Sequence, residues 1–154
     1  MSLNVEPLLT DRDPITELLE TRKALEVAAA AYAAENRTEE DLADLEVVVA
    51  DIQPHLGNEE AGEEADLRFH RTLARSAHNS VLARLLEEVS GALETAVREA
   101  RRKQFYSNRS VSEQLWREHA EIVEAIRARD MGLAQDKMKQ HLFHVERVLL
   151  PVLR

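Results

Sequence analysis

The amino-acid sequence predicts an all-α protein, and three observations predict it. Its 154 residues hold only four glycines and four prolines among abundant Ala, Leu, Glu and Arg, a composition that favours helices over sheets. Aromatic residues, which strands use freely, amount to 4%, and apolar residues recur at three- and four-residue spacing along most of the chain. The length fits one domain, large enough to bury roughly two thirds of its unfolded surface.

Residues 1–13 are polar and proline-bearing and read as a linker or a cloning remnant. Asp13-Pro14 then offers an N-cap followed by proline at the first helical position, a strong start signal. Ile15, Leu18, Leu19, Arg22, Leu25, Ala29 and Tyr32 continue at helical spacing, so a first helix should run to about Asn36. Thr38-Glu39-Glu40-Asp41 resembles a capping box and opens a second helix with Leu42, Leu45, Val48, Val49 and Ile52 inward, ended by Pro54 and Gly57-Asn58. A third helix carries Asp66, Phe69, His70, Leu73, Ala74 and Ala77 on one stripe and Glu64, Arg68, Arg71 and Arg75 on the other, and should stop near His78-Asn79. Asn79 can cap a long fourth helix through Val81, Leu82, Leu85, Leu86, Val89, Leu93 and Val97. Periodicity lapses around Tyr106–Arg109, and Ser110-Val111-Ser112-Glu113 supplies a capping box for a fifth helix with Leu115, Trp116, His119, Ile122, Val123 and Ile126 inward. Asp130 can cap a sixth, with Ala134, Met138, His141, Leu142, Val145, Val148 and Leu149 inward, and Pro151 closes the folded domain at 14–150, leaving 151–154 as a tail.

Several function classes drop out. There is no run of about 18 apolar residues and no secretory leader, so the expected location is the cytoplasm, with no membrane partner. Without cysteine there are no disulfides, thiolate nucleophiles or Cys-type zinc sites, and any metal must be held by His, Asp or Glu. A net charge of −9 argues against this chain gripping nucleic acid by itself. The densest basic cluster, Arg98, Arg101, Arg102 and Lys103, shares its helix with Glu94 and Glu99 and reads as a mixed solvated face. Phosphate loops, nucleophile elbows and His-Glu-x-x-His pairs do not occur.

What remains is a constellation. Asp66 and His70, four residues apart, lie on one helix face roughly 40° from each other, and that face is the apolar one. His119 and His141 occupy the buried stripes of two later helices. A single inward histidine is ordinarily a hydrogen-bonded core residue, but three of them with a carboxylate are more than a plain core accumulates. Such a set suits a divalent metal, Zn²⁺ first and Ni²⁺, Mn²⁺ or Fe²⁺ next, with positions left for water or a ligand oxygen. His144, flanked by Lys137, Gln140 and Arg147, looks peripheral, and His55 falls in a loop. Arg22 lies within the first apolar stripe. It reads either as an ion-pair partner of Glu26 one turn on or as an arginine offered to a carboxylate ligand. Arg101, Arg102 and Arg109, at the end of the fourth helix or in the break after it, are weaker candidates for that role.

The order Leu19-Glu20-Thr21-Arg22-Lys23-Ala24-Leu25-Glu26, Asp66-Leu67-Arg68-Phe69-His70, Asn79, Glu118-His119-Ala120-Glu121-Ile122, Ala125-Ile126-Arg127-Ala128-Arg129-Asp130 and Met138-Lys139-Gln140-His141-Leu142 resembles the effector-binding C-terminal domain of the FadR subfamily of GntR-type transcriptional regulators. The resemblance covers about Thr16 to Leu150. It implies an antiparallel bundle of six to seven helices around a central ligand and metal cavity, with Asp66, His70, His119 and His141 as the metal ligands. It also implies a small carboxylate effector, held by Arg22 with Asn79, Arg101, Arg102 and Arg109 as further candidates, and a homodimer that passes effector binding to an N-terminal winged helix-turn-helix on DNA. No such DNA-binding segment occurs in these residues, so the chain is expected to be an excised fragment or a stand-alone sensor. The expected function is effector sensing rather than catalysis. The rivals are a metal-dependent hydrolase or lyase on a helical bundle, which lacks a convincing general base, and a metal-free dimerisation module with buried histidines.

Overall fold

Helix starts in this chain are written as side-chain caps, and they set the architecture seen in a computed structural model, which describes residues 13–153. The expected linker therefore lies, apart from Asp13, outside the described residues. Asp13 accepts a hydrogen bond from the Ile15 amide at 3.1 Å and opens α1, Pro14–Asn36. The Thr38/Asp41 capping box opens α2, Glu39–Ile52, and Asn58 opens α3, Glu59–Ser76. Asn79 caps α4, Ser80–Arg101, Asn108 caps α5, Arg109–Arg127, and Asp130 accepts from the Leu133 amide at the start of α6, Met131–Leu153. These are six α-helices, with no strand among the described residues.

Two further turns complete the path. Gln53–His55 form a short 3₁₀ turn after α2, and Arg102–Tyr106 form a π turn that extends α4, closed by the Ser107 amide donating to the Arg102 carbonyl at 2.9 Å. The apolar periodicity of the sequence lapses from the last residue of the π turn, Tyr106, onward, because its i→i+5 bonding shifts the phase of the inward face.

α1 is the central helix and packs on α6, α4, α3 and α5. Its second half buries Ala29, Ala30, Ala31, Ala33 and Ala34, small side chains that let neighbouring backbones approach on several sides. Two apolar clusters result. One joins Ala29, Ala30, Ala33 and Ala34 to Leu45, Phe69, Leu73, Ile122, Ile126 and Met138, and the other joins Leu18 and Leu19 to Val89, Leu93, Phe105, Leu115 and Leu149. Along α1, α5 and α6, the residues at the junction of the two clusters are polar: Arg22 and Glu26, His119, and His141.

Four expectations need correction. Tyr32 is 42% exposed, because the crowded side of α1 turns onto Ala30, Ala33 and Ala34. Val81, the first residue after the cap and Ser80 in α4, is likewise exposed. α5 begins at Arg109, one residue before the Ser110 box: Asn108 accepts from the Val111 amide at 3.2 Å, and the Ser112 hydroxyl donates instead to the Phe105 carbonyl at 2.5 Å. Finally, α6 continues through Pro151 to Leu153. So close to the helix end the missing proline N–H removes only one backbone bond, and Leu150 and Leu153 pack on the second cluster.

Candidate metal centre

The four expected ligand residues meet. Asp66 Oδ1 lies 3.2 Å from His119 Nε2 and 3.5 Å from His70 Nε2, and His119 Nε2 lies 3.2 Å from His141 Nε2. Ligand nitrogens of the three histidines all fall within 4.8 Å of one another. Donors about 2.0–2.1 Å from a shared ion stand roughly 2.8–3.4 Å apart at octahedral or tetrahedral angles. The two 3.2 Å spacings fall in that range and the His70–Asp66 spacing lies just outside it, while the mutually close set is the three histidines. Orphaned atoms make the same point. Both ring nitrogens of His70 and Nδ1 of His119 are buried with no hydrogen-bond partner, a costly state for polar groups in a core.

Each of these side chains is held by a second residue. Asp66 Oδ2 accepts from the Tyr106 hydroxyl at 2.7 Å and from Arg101 at 2.9 Å, which leaves Oδ1 to the histidines. The π turn makes this possible: Arg101 and Tyr106, five residues apart, reach the same oxygen and each other, at 2.8 Å. Glu118 lies 2.7 Å from His141 Nδ1, so that nitrogen carries the proton and Nε2 keeps its lone pair for the centre. His144, expected to be peripheral, is the other partner of Glu118, at 2.9 Å. Glu26 approaches His70 Nδ1 to 2.6 Å, off the line of a good hydrogen bond. Phe69 stacks on the His119 ring at 4.2 Å between centroids and fixes its plane.

Burial and charge set the protonation states. Burial, and then the neighbouring His141, hold His119 well below the ordinary imidazole value. Burial also lowers His141 against the opposing pull of Glu118. Both are therefore neutral near pH 7 and free to donate a lone pair. For His70 burial would lower the pKa, but the Glu26 and Asp66 carboxylates beside it raise it to about 9. Burial would raise the Asp66 carboxyl, and His70, His119 and Arg101 together hold it well below the usual range. Burial keeps the Tyr106 phenol protonated, as a donor to Asp66 must be.

Beside the centre, between α3 and α4, opens a cleft of about 560 Å³ lined by Arg22, Glu26, His70 and Arg101 at its floor. Arg22 Nη2 lies 3.6 Å from Glu26, the ion-pair partner expected one turn on, and its Nε is buried without a partner on the cleft. Arg101 Nε is orphaned likewise. The other effector candidates lie elsewhere. Arg102 holds the buried Glu63 at 3.1 Å, together with Arg98, so this basic cluster is less a solvated face than expected. Asn79 is exposed and occupied as the α4 cap, with the Leu82 amide at 3.0 Å, and Arg109 is exposed beside Gly57.

Sequence reasoning missed Glu26 as a site residue, as well as Glu118 and Tyr106. Glu26 carried a signal, since it shares the apolar side of α1 with Arg22. Glu118 lies within a charged run, and its partner is 23 residues away.

The FCD domain profile matches residues 17–144. The chain is 36% identical over 142 residues to the HTH-type transcriptional regulator LutR of Bacillus subtilis (strain 168), covering 92% of this chain and 65% of that protein. It is 34% identical over 130 residues to the galactonate operon transcriptional repressor of Escherichia coli (strain K12), covering 83% and 55%. The chain thus spans between about half and two thirds of the length of these relatives. The solved structure of E. coli McbR/YncC superposes with a TM-score of 0.81 over 93% of this chain and 71% of that one, at 17% identity, a likeness of fold alone.

Proposed function

Since the chain belongs to the FCD domain family, we propose that it is the effector-sensing and dimerisation domain of a transcriptional regulator, binding a divalent metal and a small organic acid. The observation that carries this reading is the meeting of Asp66 with His70, His119 and His141 at the floor of a cleft that two buried arginines line. Three imidazoles and a carboxylate, with no thiolate, suit zinc, and Ni²⁺, Mn²⁺ and Fe²⁺ accept the same donors. Bound there, the ion supplies a Lewis-acidic anchor for a carboxylate oxygen of the effector.

The chain's own residues do the rest. Glu118 fixes the tautomer of His141, and Arg101 with Tyr106 orients Asp66. Arg22 and Arg101 offer unused N–H groups to the effector's carboxylate, the planar anion that guanidinium recognises best. The name of the galactonate operon repressor supports an acid of this kind, since galactonate carries a carboxylate beside a hydroxyl. An effector that binds one arrangement of two copies better than another biases the pair by that difference in affinity. With a net charge of −9 on these residues, DNA contact falls to a winged helix-turn-helix N-terminal to them. No helix among the described residues is long and apolar enough to cross a membrane, which fits a cytoplasmic regulator.

Thermal melts of chelator-stripped, untagged protein test this function. Zinc should raise the Tm, and galactonate, or the L-lactate in the name of the Putative L-lactate dehydrogenase operon regulatory protein of E. coli that is 30% identical to this chain, should raise it further only when zinc is present, as expected for ligands of the native state. Asp66→Ala should abolish both shifts. An acid that stabilises equally in chelator, or zinc without effect, would refute the reading.

A further inference from the structure

The cleft beside the metal centre is larger than a three-carbon acid requires. Its volume of about 560 Å³ falls in the range, about 300–1,000 Å³, that buries a drug-sized ligand. Its middle is apolar, lined by Leu67, Ala74, Leu86 and Leu93, and its outer end is charged.

On the α3 wall of that outer part stand Arg68, Arg71 and Arg75. Arg68 is paired with Asp51 at 3.5 Å. Arg71 and Arg75 have no carboxylate within 4.0 Å among the described residues, and Arg75 makes only a long contact of 3.4 Å with the Thr72 hydroxyl. Other surface cations among the described residues, such as Arg84, Arg109 and Arg147, are unpaired too, but Arg71 and Arg75 are the two of them that line the cleft. Three carboxylates line the cleft: Glu26 belongs to the floor, Glu94 is held by Arg98, and Glu87 stands on the α4 wall without reaching either arginine. Arg75 lies five residues beyond His70 on α3, roughly 7.5 Å along the axis at 1.5 Å per residue. Two free cations thus flank one end of an apolar channel whose other end holds two buried guanidinium groups with orphaned Nε atoms, Arg22 and Arg101.

We infer that the cleft takes an elongated dianionic organic acid, its first carboxylate at the floor beside Arg22 and Arg101 and its second anionic group at the mouth between Arg71 and Arg75. The inference rests on the sensing function proposed above and narrows its ligand class. The carbon body of such a ligand lies along Leu67, Ala74, Leu86 and Leu93, where burial of its methylenes adds affinity. The second anion pairs with guanidinium groups that have no carboxylate within 4.0 Å among the described residues.

Calorimetry on the zinc-loaded protein with 2-hydroxyadipate and 2-hydroxyhexanoate, acids of equal length differing in the second carboxylate, tests the inference. The diacid should bind about tenfold or more tightly. In the Arg71→Gln/Arg75→Gln variant, whose exposed positions leave the fold intact, that advantage should shrink to about threefold or less with 2-hydroxyhexanoate unaffected. Arg22→Gln should weaken both acids. Equal affinity of the two acids for the wild-type chain, or a diacid advantage that survives in the double variant, would overturn the dianionic site. Failure of both acids to bind the zinc-loaded protein would overturn the sensing function as well, because 2-hydroxyhexanoate asks only for the floor.

Discussion

His70 is the residue on which the electrostatics of the centre turn. It stands between two buried carboxylates, 2.6 Å from Glu26 and 3.5 Å from Asp66, which raise its pKa to about 9 against the cost of burial. A group whose folded pKa lies above its unfolded value stabilises fully below the unfolded value, about 6.5, and loses that contribution as pH rises through the folded one. The metal-free protein should therefore lose stability between about pH 6.5 and pH 9. A metal must displace the His70 proton, so its stabilising effect should grow over the same interval. The competition expected from three ordinary imidazoles would lie in the acidic range. The two carboxylates move it upward. Melting curves with zinc and with chelator at pH 6, 7.5 and 9 should diverge steadily, and a constant gap would show that His70 does not lose a proton to the metal. Glu118 is a second determinant at this scale. Glu118→Gln keeps the shape but loses the charge that holds His141 Nδ1–H, so zinc affinity in a competition assay should fall about 10- to 100-fold.

At the scale of the element, helix starts were legible because each is a short-range device. Asp13-Pro14, Thr38/Asp41, Asn79 and Asp130 all cap as their sequences say. Asn108 was missed because Ser110 offers an equally plausible cap two residues on, and the choice between them falls to Ser112, whose hydroxyl is drawn to the π turn. Inward faces were legible wherever one side of a helix is crowded, as in α2, where Leu42, Leu45, Val48, Val49 and Ile52 are the buried residues. In α1, which is covered on several sides, Leu18, Leu19, Arg22 and Ala29 are buried as expected, and only Tyr32 falls on the wrong side. Asn79 separates a structural role from a binding one. Asn79→Ala removes the bond to the Leu82 amide and should cost about 1 kcal/mol in denaturant melts. Zinc and acid affinities should not change, and a selective loss of acid affinity would move Asn79 into the effector site.

For the whole molecule, the arrangement is a polar layer between two apolar clusters, crossed by the central α1. Metal-capable residues could be recognised in the sequence because helical periodicity points Asp66, His70, His119 and His141 inward, and a core has few uses for four such groups. Their supporting residues could not. Glu26, Glu118 and Tyr106 act across helices remote in sequence, and Arg101 looks like part of a solvated run, although the end of α4 sets it on Asp66. Distances among these groups are what convert four inward residues into one centre. Anomalous scattering at the zinc edge, from crystals of untagged protein grown with zinc and no chelator, tests that centre most directly. The account predicts one strong peak per chain within bonding distance of Asp66, His70, His119 and His141. No peak there, or a peak held by other side chains, would contradict it.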